Sequence, residues 1–253
     1  MTDEELERLR MRPYRVHFSC GAASATTLFL AAESGLEVDA VYADPGGEHP
    51  DNRRFLDDVS AATGVSITIV RSETYQSPLD VWTKRRFIKG QNGAPCTGHL
   101  KRIPLLPYWT LDRVHLFGFT ASEEERLKRI QINEHPFEIR SLIAERRWEK
   151  GDCFDFITAR GLRLPEMYRL GFNNANCIGC PKGGAGYWNH VRKVFPDHFE
   201  AMAALQDELG PTSGFLKGAD GNRLLLRDLP ETAGKHVEPS IECGLFCTDL
   251  KLQ

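Results

Sequence analysis

From residue 14 to about residue 119 the chain alternates short apolar runs with longer stretches whose apolar positions recur every three to four residues. Short runs of Val, Ile and Tyr favour strands, and the 3.6-residue period favours helices with one apolar face. The pattern predicts strands over 14–19, 38–43, 66–70 and 114–117, and helices over 24–33, 50–63, 79–87, 99–109 and 122–132. Strands that alternate with helices build parallel pairs joined by crossovers, so the expected fold is α/β with a doubly wound, mostly parallel sheet. Further along, strands become scarce. Helices are predicted over 150–160 and 187–209, with Pro196 breaking or kinking the second because proline lacks the amide hydrogen. The tail from residue 210 is rich in glycine, proline and charge, with a short strand expected over 223–227, and reads as a C-terminal arm. The expected organisation is an α/β part over 1–135 and a helical, cysteine-rich part over 136–253 packed on it.

Composition adds bounds. With 253 residues, 41% hydrophobic, 26% charged and a formal net charge of −3, the chain is expected to fold as one principal globular domain. No apolar run approaches the roughly 20 residues that span a bilayer, so no membrane association is expected. The weakly acidic balance does not favour nucleic acid, although basic runs stand at Lys84-Arg85-Arg86 and Arg146-Arg147. No secretory signal is read, and a chain of this length needs no disulfide framework, so a reducing, cytoplasmic setting is expected for its 7 cysteines.

The cysteines carry the strongest chemical signal. Cys96 stands alone after Ala94-Pro95, Cys177 and Cys180 form a C-x2-C pair around Gly179, and Cys243 and Cys247 lie near the end. Clusters so far apart meet only through the fold, and a C-x2-C turn presents two sulfurs to one metal ion. Cys153, between apolar residues, reads as a buried small hydrophobe, and Cys20 fits either role.

A second signal is the turn Ser19-Cys20-Gly21-Ala22-Ala23-Ser24 between the first strand and first helix. Small residues there expose backbone N–H groups and a helix N-terminus, which suit an anion such as phosphate. Ser24 could equally be a plain helix N-cap. The turn is neither a GxGxxG fingerprint nor a Walker A loop. A third stretch joins Lys84-Arg85-Arg86-Phe87 and Lys89 with Lys182-Gly183-Gly184-Ala185-Gly186-Tyr187-Trp188, which could present a basic, aromatic face, or could be a helix start with core aromatics.

These residues resemble a known family. The turn at 19–24 is similar to the PP-loop of the adenine nucleotide alpha-hydrolase superfamily, and within it to that of the PAPS reductase (sulfonucleotide reductase) family, including phage and bacterial relatives. Asp44-Pro45-Gly46-Gly47-Glu48-His49-Pro50 resembles the D-T-G-x-E-h-P stretch of those proteins. Cys96 with Leu100-Lys101 and Pro104-Leu105 resembles their C-C-x-x-x-K-x-x-P-L segment, and the stretch from Gly118 to Arg126 resembles a glycine-then-Glu-x-x-Arg loop. Glu242-Cys243-Gly244-Leu245 resembles the terminal E-C-G-L-H.

The resemblance implies a Rossmann-like fold and an adenine nucleotide, PAPS or ATP (with Mg if ATP), held by Ser19, Gly21, Ala22, Ser24, Asp44 and Gly118. It implies a 4Fe-4S cluster on Cys96, Cys177 and Cys180, with Cys247, Cys243 or an exogenous sulfur as fourth ligand and zinc as the fallback metal. Cys243 would be the nucleophile, and Lys101, Arg102, Arg126 and Lys182 are anion-binding candidates. A thioredoxin-like reductant or a sulfur donor would be the partner. The chain departs from the family at Ala23, where ATP pyrophosphatases carry an acid, at Thr97, in place of the second cysteine of the C-C pair, and at Phe246-Cys247, in place of the terminal histidine. The family's usual arginine-containing signature before the C-terminal cysteine is not recognisable. Three functions follow: sulfonucleotide reduction, ATP-dependent activation and thiolation of a nucleic acid or small base, or nucleotide binding by an iron-sulfur protein without catalysis.

Overall fold

Tyr14–Phe18 opens the sheet as β1, followed by α1 (Ala22–Ala32), β2 (Val38–Ala43), α2 (Asp51–Thr63), β3 (Ile67–Val70), α3 (Pro78–Arg85) and β4 (Val114–Leu116). The computed structural model describes residues 12–90, 93–218 and 221–235. The chain continues through α4 (Glu124–Asn133), β5 (Ile139–Arg140), α5 (Leu142–Glu145), α6 (Lys150–Thr158), α7 (Glu166–Arg169), α8 (Ala185–Val194) and α9 (Pro196–Leu209) to a hairpin of β6 (Leu216–Lys217) and β7 (Arg223–Leu224). The main sheet has the order β3-β2-β1-β4-β5 with every pairing parallel. This is the doubly wound α/β arrangement, and its strand order reverses direction between β1 and β4.

Local chemistry explains most elements. In β1 Val16 and Phe18 are buried, as befits a central strand covered on both faces. In α1 most positions are buried, the mark of a core helix rather than a surface one. Gly64 ends α2 in the left-handed conformation, and Ser77 caps α3 by accepting from the Asp80 amide.

The sequence pattern anticipated four of the five main-sheet strands. β5 was missed because only Ile139 and Arg140 pair with β4, too short a run for any period to show. The single helix expected over 99–109 is instead a broken helical segment over 95–108, with a wide π turn over Gly98–Arg102 and 3₁₀ geometry at Leu106–Tyr108. Prolines at 95, 104 and 107 account for this, since each lacks an amide hydrogen and Pro104 crowds the preceding turn. The helix expected over 187–209 breaks at Phe195 before Pro196, and the strand expected over 223–227 covers only Arg223–Leu224 before a 3₁₀ turn.

Two compact units divide the described chain, each assembled from three segments. Of the described residues, unit 1 takes 12–43, 50–70 and 105–166, and holds the main sheet. Unit 2 takes 44–49, 71–104 and the described residues from 167 to 235, so the division is interleaved and differs from a single cut near residue 135. The core of unit 2 is built on Trp188, Leu100, Ile88, Met167, Val191 and Leu226. Among the described residues no helix is long and apolar enough to cross a membrane.

Candidate functional site

In unit 1 the chain leaves β1 at the point where the strand order reverses, and the first helix begins there. Cys20 is buried and takes a left-handed backbone (φ 54°), which lets the chain fold sharply from strand into helix. Ser24 ties the turn together. Its Oγ accepts from the Ser19 amide at 3.1 Å and from the Ser19 hydroxyl at 3.2 Å, and donates to the Gly21 carbonyl at 2.9 Å. Gly21, not Ser24, is the N-cap of α1, so the serine closes the loop from inside the first turn.

Gly118, just after β4, lies against this turn. A Cβ at 118 would stand 2.6 Å from the Ser24 nitrogen and 2.7 Å from the Ala23 carbonyl carbon, so only glycine permits the contact. Ser19, Gly21, Ala22, Ser24 and Gly118 are thus brought together at the carboxyl ends of β1 and β4. In open α/β sheets ligands bind at such a crossover crevice, and a helix N-terminus favours an anion. Arg126 lies further along, in α4. Its guanidinium pairs with Glu123 at 2.7 Å and covers the Phe119 ring, 4.9 Å from the centroid.

In unit 2 the stretch 44–49 is built around close approaches. Asp44 accepts from the Gly46 amide at 2.9 Å and from Arg71 Nε at 2.9 Å, so it orders its own turn and pairs with Arg71. Gly46 has φ 66° and a Cβ there would overlap the Gln76 carbonyl oxygen, while a Cβ on Gly47 would meet the Pro78 ring at 2.7 Å. The Gly47 carbonyl accepts from the Ile178 amide at 2.9 Å, inside the C-x2-C turn. Glu48 meets Lys101 at 3.3 Å, with only 4% and 11% of the two side chains exposed.

The Cys177–Cys180 turn is held from within. Gly179 supplies the left-handed residue (φ 75°). The Tyr187 hydroxyl accepts from the amides of Gly179 and Cys180, each at 3.0 Å, and donates to the Cys177 carbonyl at 3.4 Å. Burial, with Cys180 and Cys177 adding to it, holds the Tyr187 phenol well above its ordinary pKa, so it stays a neutral donor. Lys89 donates to the Pro181 carbonyl at 3.1 Å; burial lowers its pKa, Cys180 opposes that, and Lys182 adds to it.

Cys177 and Cys180 are buried, and Cys96, half-buried, packs against the apolar cluster that contains Cys180. Three thiols on one packed unit match a soft metal in donor chemistry. Among the described residues no three His, Cys, Asp or Glu side chains converge as one ion's ligands. Arg102 and Lys182 are half-buried. Cys243 and Cys247 lie outside the described residues.

Sequence reasoning named Tyr187, Glu48 and Lys89 but missed their contacts with the Gly179 and Cys180 amides, Lys101 and the Pro181 carbonyl. Tyr187 and Trp188 are buried, which bears out the reading of their stretch as a helix start with core aromatics rather than an exposed platform. A tyrosine soon after a C-x2-C pair was the available signal. Cys153 is buried and burial pushes its thiol up to about 11, as suits an inert core residue.

No family model matches the chain. An uncharacterized protein of Methanocaldococcus jannaschii is 23% identical over 197 residues, covering 75% of this chain and 40% of that protein. An uncharacterized nin region protein of Escherichia phage lambda is 28% identical over 203 residues, covering 66% of this chain and 65% of that protein. The chain therefore spans less than two thirds of the length of either relative. Among solved structures it is similar to phosphoadenylyl-sulfate (PAPS) reductase from Candida auris in a phosphate complex, with 15% identity, a TM-score of 0.48, and coverage of 68% of this chain and 86% of that one.

Proposed function

We propose that the chain binds an adenine nucleotide at the 19–24 turn and carries out sulfur chemistry in the manner of a PAPS reductase. The observation that carries this reading is the Gly118 contact on Ala23 and Ser24, which sets two backbone stretches side by side at a helix N-terminus where the strand order reverses. The absence of an acid at position 23 favours a nucleotide already activated, such as PAPS, over ATP awaiting cleavage.

In this reading the phosphates rest on the turn amides, and the Cys243 thiolate attacks the sulfonate sulfur. A sulfur–sulfur bond forms to Cys243, the sulfur–oxygen bond breaks, and the nucleotide leaves with the electron pair as its phosphate. A thioredoxin-like dithiol then attacks Cys243 sulfur, is itself oxidised to the disulfide, and sulfite departs. Cys96, Cys177 and Cys180 would hold a 4Fe-4S cluster, with Cys247, Cys243 or an exogenous sulfur completing it and zinc as the alternative metal; when bound, such a cluster would supply redox-active iron. Lys101, Arg102 and Lys182 would lower the thiol's pKa or hold the sulfonate, with Arg126 a further anion-binding candidate.

The test is anaerobic purification with iron and sulfide analysis, together with PAPS and ATP binding on the same sample. A cluster with PAPS preferred supports the proposal, and a cluster with ATP preferred replaces it by activation and thiolation. Zinc or no metal removes the cluster, and failure to bind either nucleotide removes the nucleotide reading.

A further inference from the structure

Unit 2 carries a cavity of about 250 Å³ at the C-terminal end of α3, and its lining residue Lys89 donates to the Pro181 carbonyl just after the cysteine turn. Its polar lining is Arg86, Lys89, Arg223, Thr212 and Ser213, with the Phe87 ring at its edge. Three cations and two hydroxyls line it, with no carboxylate among the lining residues. Glu208 pairs with Arg86 at 2.7 Å in an exposed contact, which water and salt weaken. Arg223 spends one nitrogen on the Thr212 and Gly214 carbonyls, at 2.9 and 2.8 Å, which fixes its position.

Two features point to a ligand larger than a lone anion. Phe87 is 47% exposed, and its ring lies over Gly90, where a Cβ would meet it at 2.9 Å. An aromatic ring braced from behind and open in front is a stacking platform. Arg86 is the second feature. It ends α3 in the left-handed conformation (φ 50°), a position that favours glycine, and it directs a cation into the cavity at a conformational cost. The neighbouring Arg85, exposed in the last turn of α3, extends the positive surface along the chain, while Lys84 pairs with Asp80 at 3.0 Å.

We propose that this cavity and Phe87 form a binding surface for single-stranded nucleic acid, with a phosphate among Arg86, Lys89 and Arg223 and a base on the Phe87 ring. The Thr212 hydroxyl suits a phosphate oxygen, while the Ser213 hydroxyl donates to the Gln206 and Gly210 carbonyls, and a sequence-tolerant platform beside a cationic groove is how single strands are held. The surface is independent of the adenine-nucleotide reading, since none of its residues belongs to the 19–24 turn.

The experiment is fluorescence anisotropy of a labelled oligothymidylate of about 15 nucleotides with the full chain, over a salt series and without added adenine nucleotide. Saturable binding is expected at low salt. Arg223→Gln should reduce the slope of log affinity against log salt by about 0.7, the share of one phosphate contact on a single strand. Arg86→Gly should do the same without lowering the melting temperature, because glycine relieves the left-handed strain; this separates binding from folding. Phe87→Ala should weaken binding about tenfold with the slope unchanged. Absence of saturable binding at low salt, indifference of the affinity to all three variants, or displacement of the strand by AMP at equal nucleotide concentration would each overturn the proposal, the last by assigning the cavity to a small ligand.

Discussion

Tyr187 serves three backbone groups with one oxygen, and the cost of losing that oxygen is calculable. Tyr187→Phe strands the Gly179 and Cys180 amides in the interior. Unsatisfied buried donors cost roughly 1–3 kcal/mol each, so urea unfolding should show a loss of about 3 kcal/mol. Lys101 gives a complementary test. Lys101→Met removes the Lys101 ammonium from the buried Glu48 carboxylate, at an expected cost of about 3–5 kcal/mol, and adding Glu48→Leu should restore most of the loss. The C-x2-C pair was legible because its spacing is itself the signal. Glu48 was not legible as a partner of Lys101, since 53 residues separate them and only the fold brings them together. Ser24 was readable as a cap or as a loop residue, and the structure distinguishes these through its bonds to Ser19 and Gly21.

Among elements, β1 and β4 bear the most weight, and both were readable as short apolar runs. What the runs did not reveal is that His17 on β1 and His115 on β4 meet at 3.0 Å, with His17 stacked on Phe117, their ring centroids 4.4 Å apart. Burial lowers both imidazole pKa values below the ordinary 6.5. The unfolded chain binds protons on these rings that the folded chain refuses, so stability is complete above pH 6.5 and falls as the pH drops below it. A second acid loss belongs to α2. Arg54 holds Asp51 down to about 2 from 3.8, so its contribution is present above pH 3.8 and disappears as the pH falls through 2. Denaturant midpoints measured between pH 8 and 2 should decline in two stages, and His17→Phe should flatten the first. The turn between β1 and α1 makes a further prediction. Gly118→Ala should displace Ala23 and Ser24 and lower adenine-nucleotide affinity at least tenfold by calorimetry, while the helical circular dichroism remains. β5 and the broken 95–108 segment escaped prediction for opposite reasons, one too short to show a period and the other showing a helical period that its prolines disrupt.

For the whole molecule, composition set the broad class, and the alternation of strands and helices set the sheet. The interleaving of the two units was beyond both, because it depends on which loops pack with which helices. The proposed metal is tested at this scale. Cys177→Ser should abolish the visible absorption of the anaerobically purified chain, and Cys153→Ser should leave it intact, since that thiol is buried in unit 1 among apolar residues.

The three-segment construction of each unit also decides what a fragment can be. A piece beginning at Met167 keeps Cys177, Cys180 and Tyr187, yet it discards 44–49 and 71–104. The Ile178 amide then has no Gly47 carbonyl to meet, and Cys96 is gone with its helical segment. Truncation libraries and split reporters cut at any one bond between residues 49 and 167 should therefore yield no autonomously folded cysteine unit, and limited proteolysis there should leave nicked chains that stay associated until denatured.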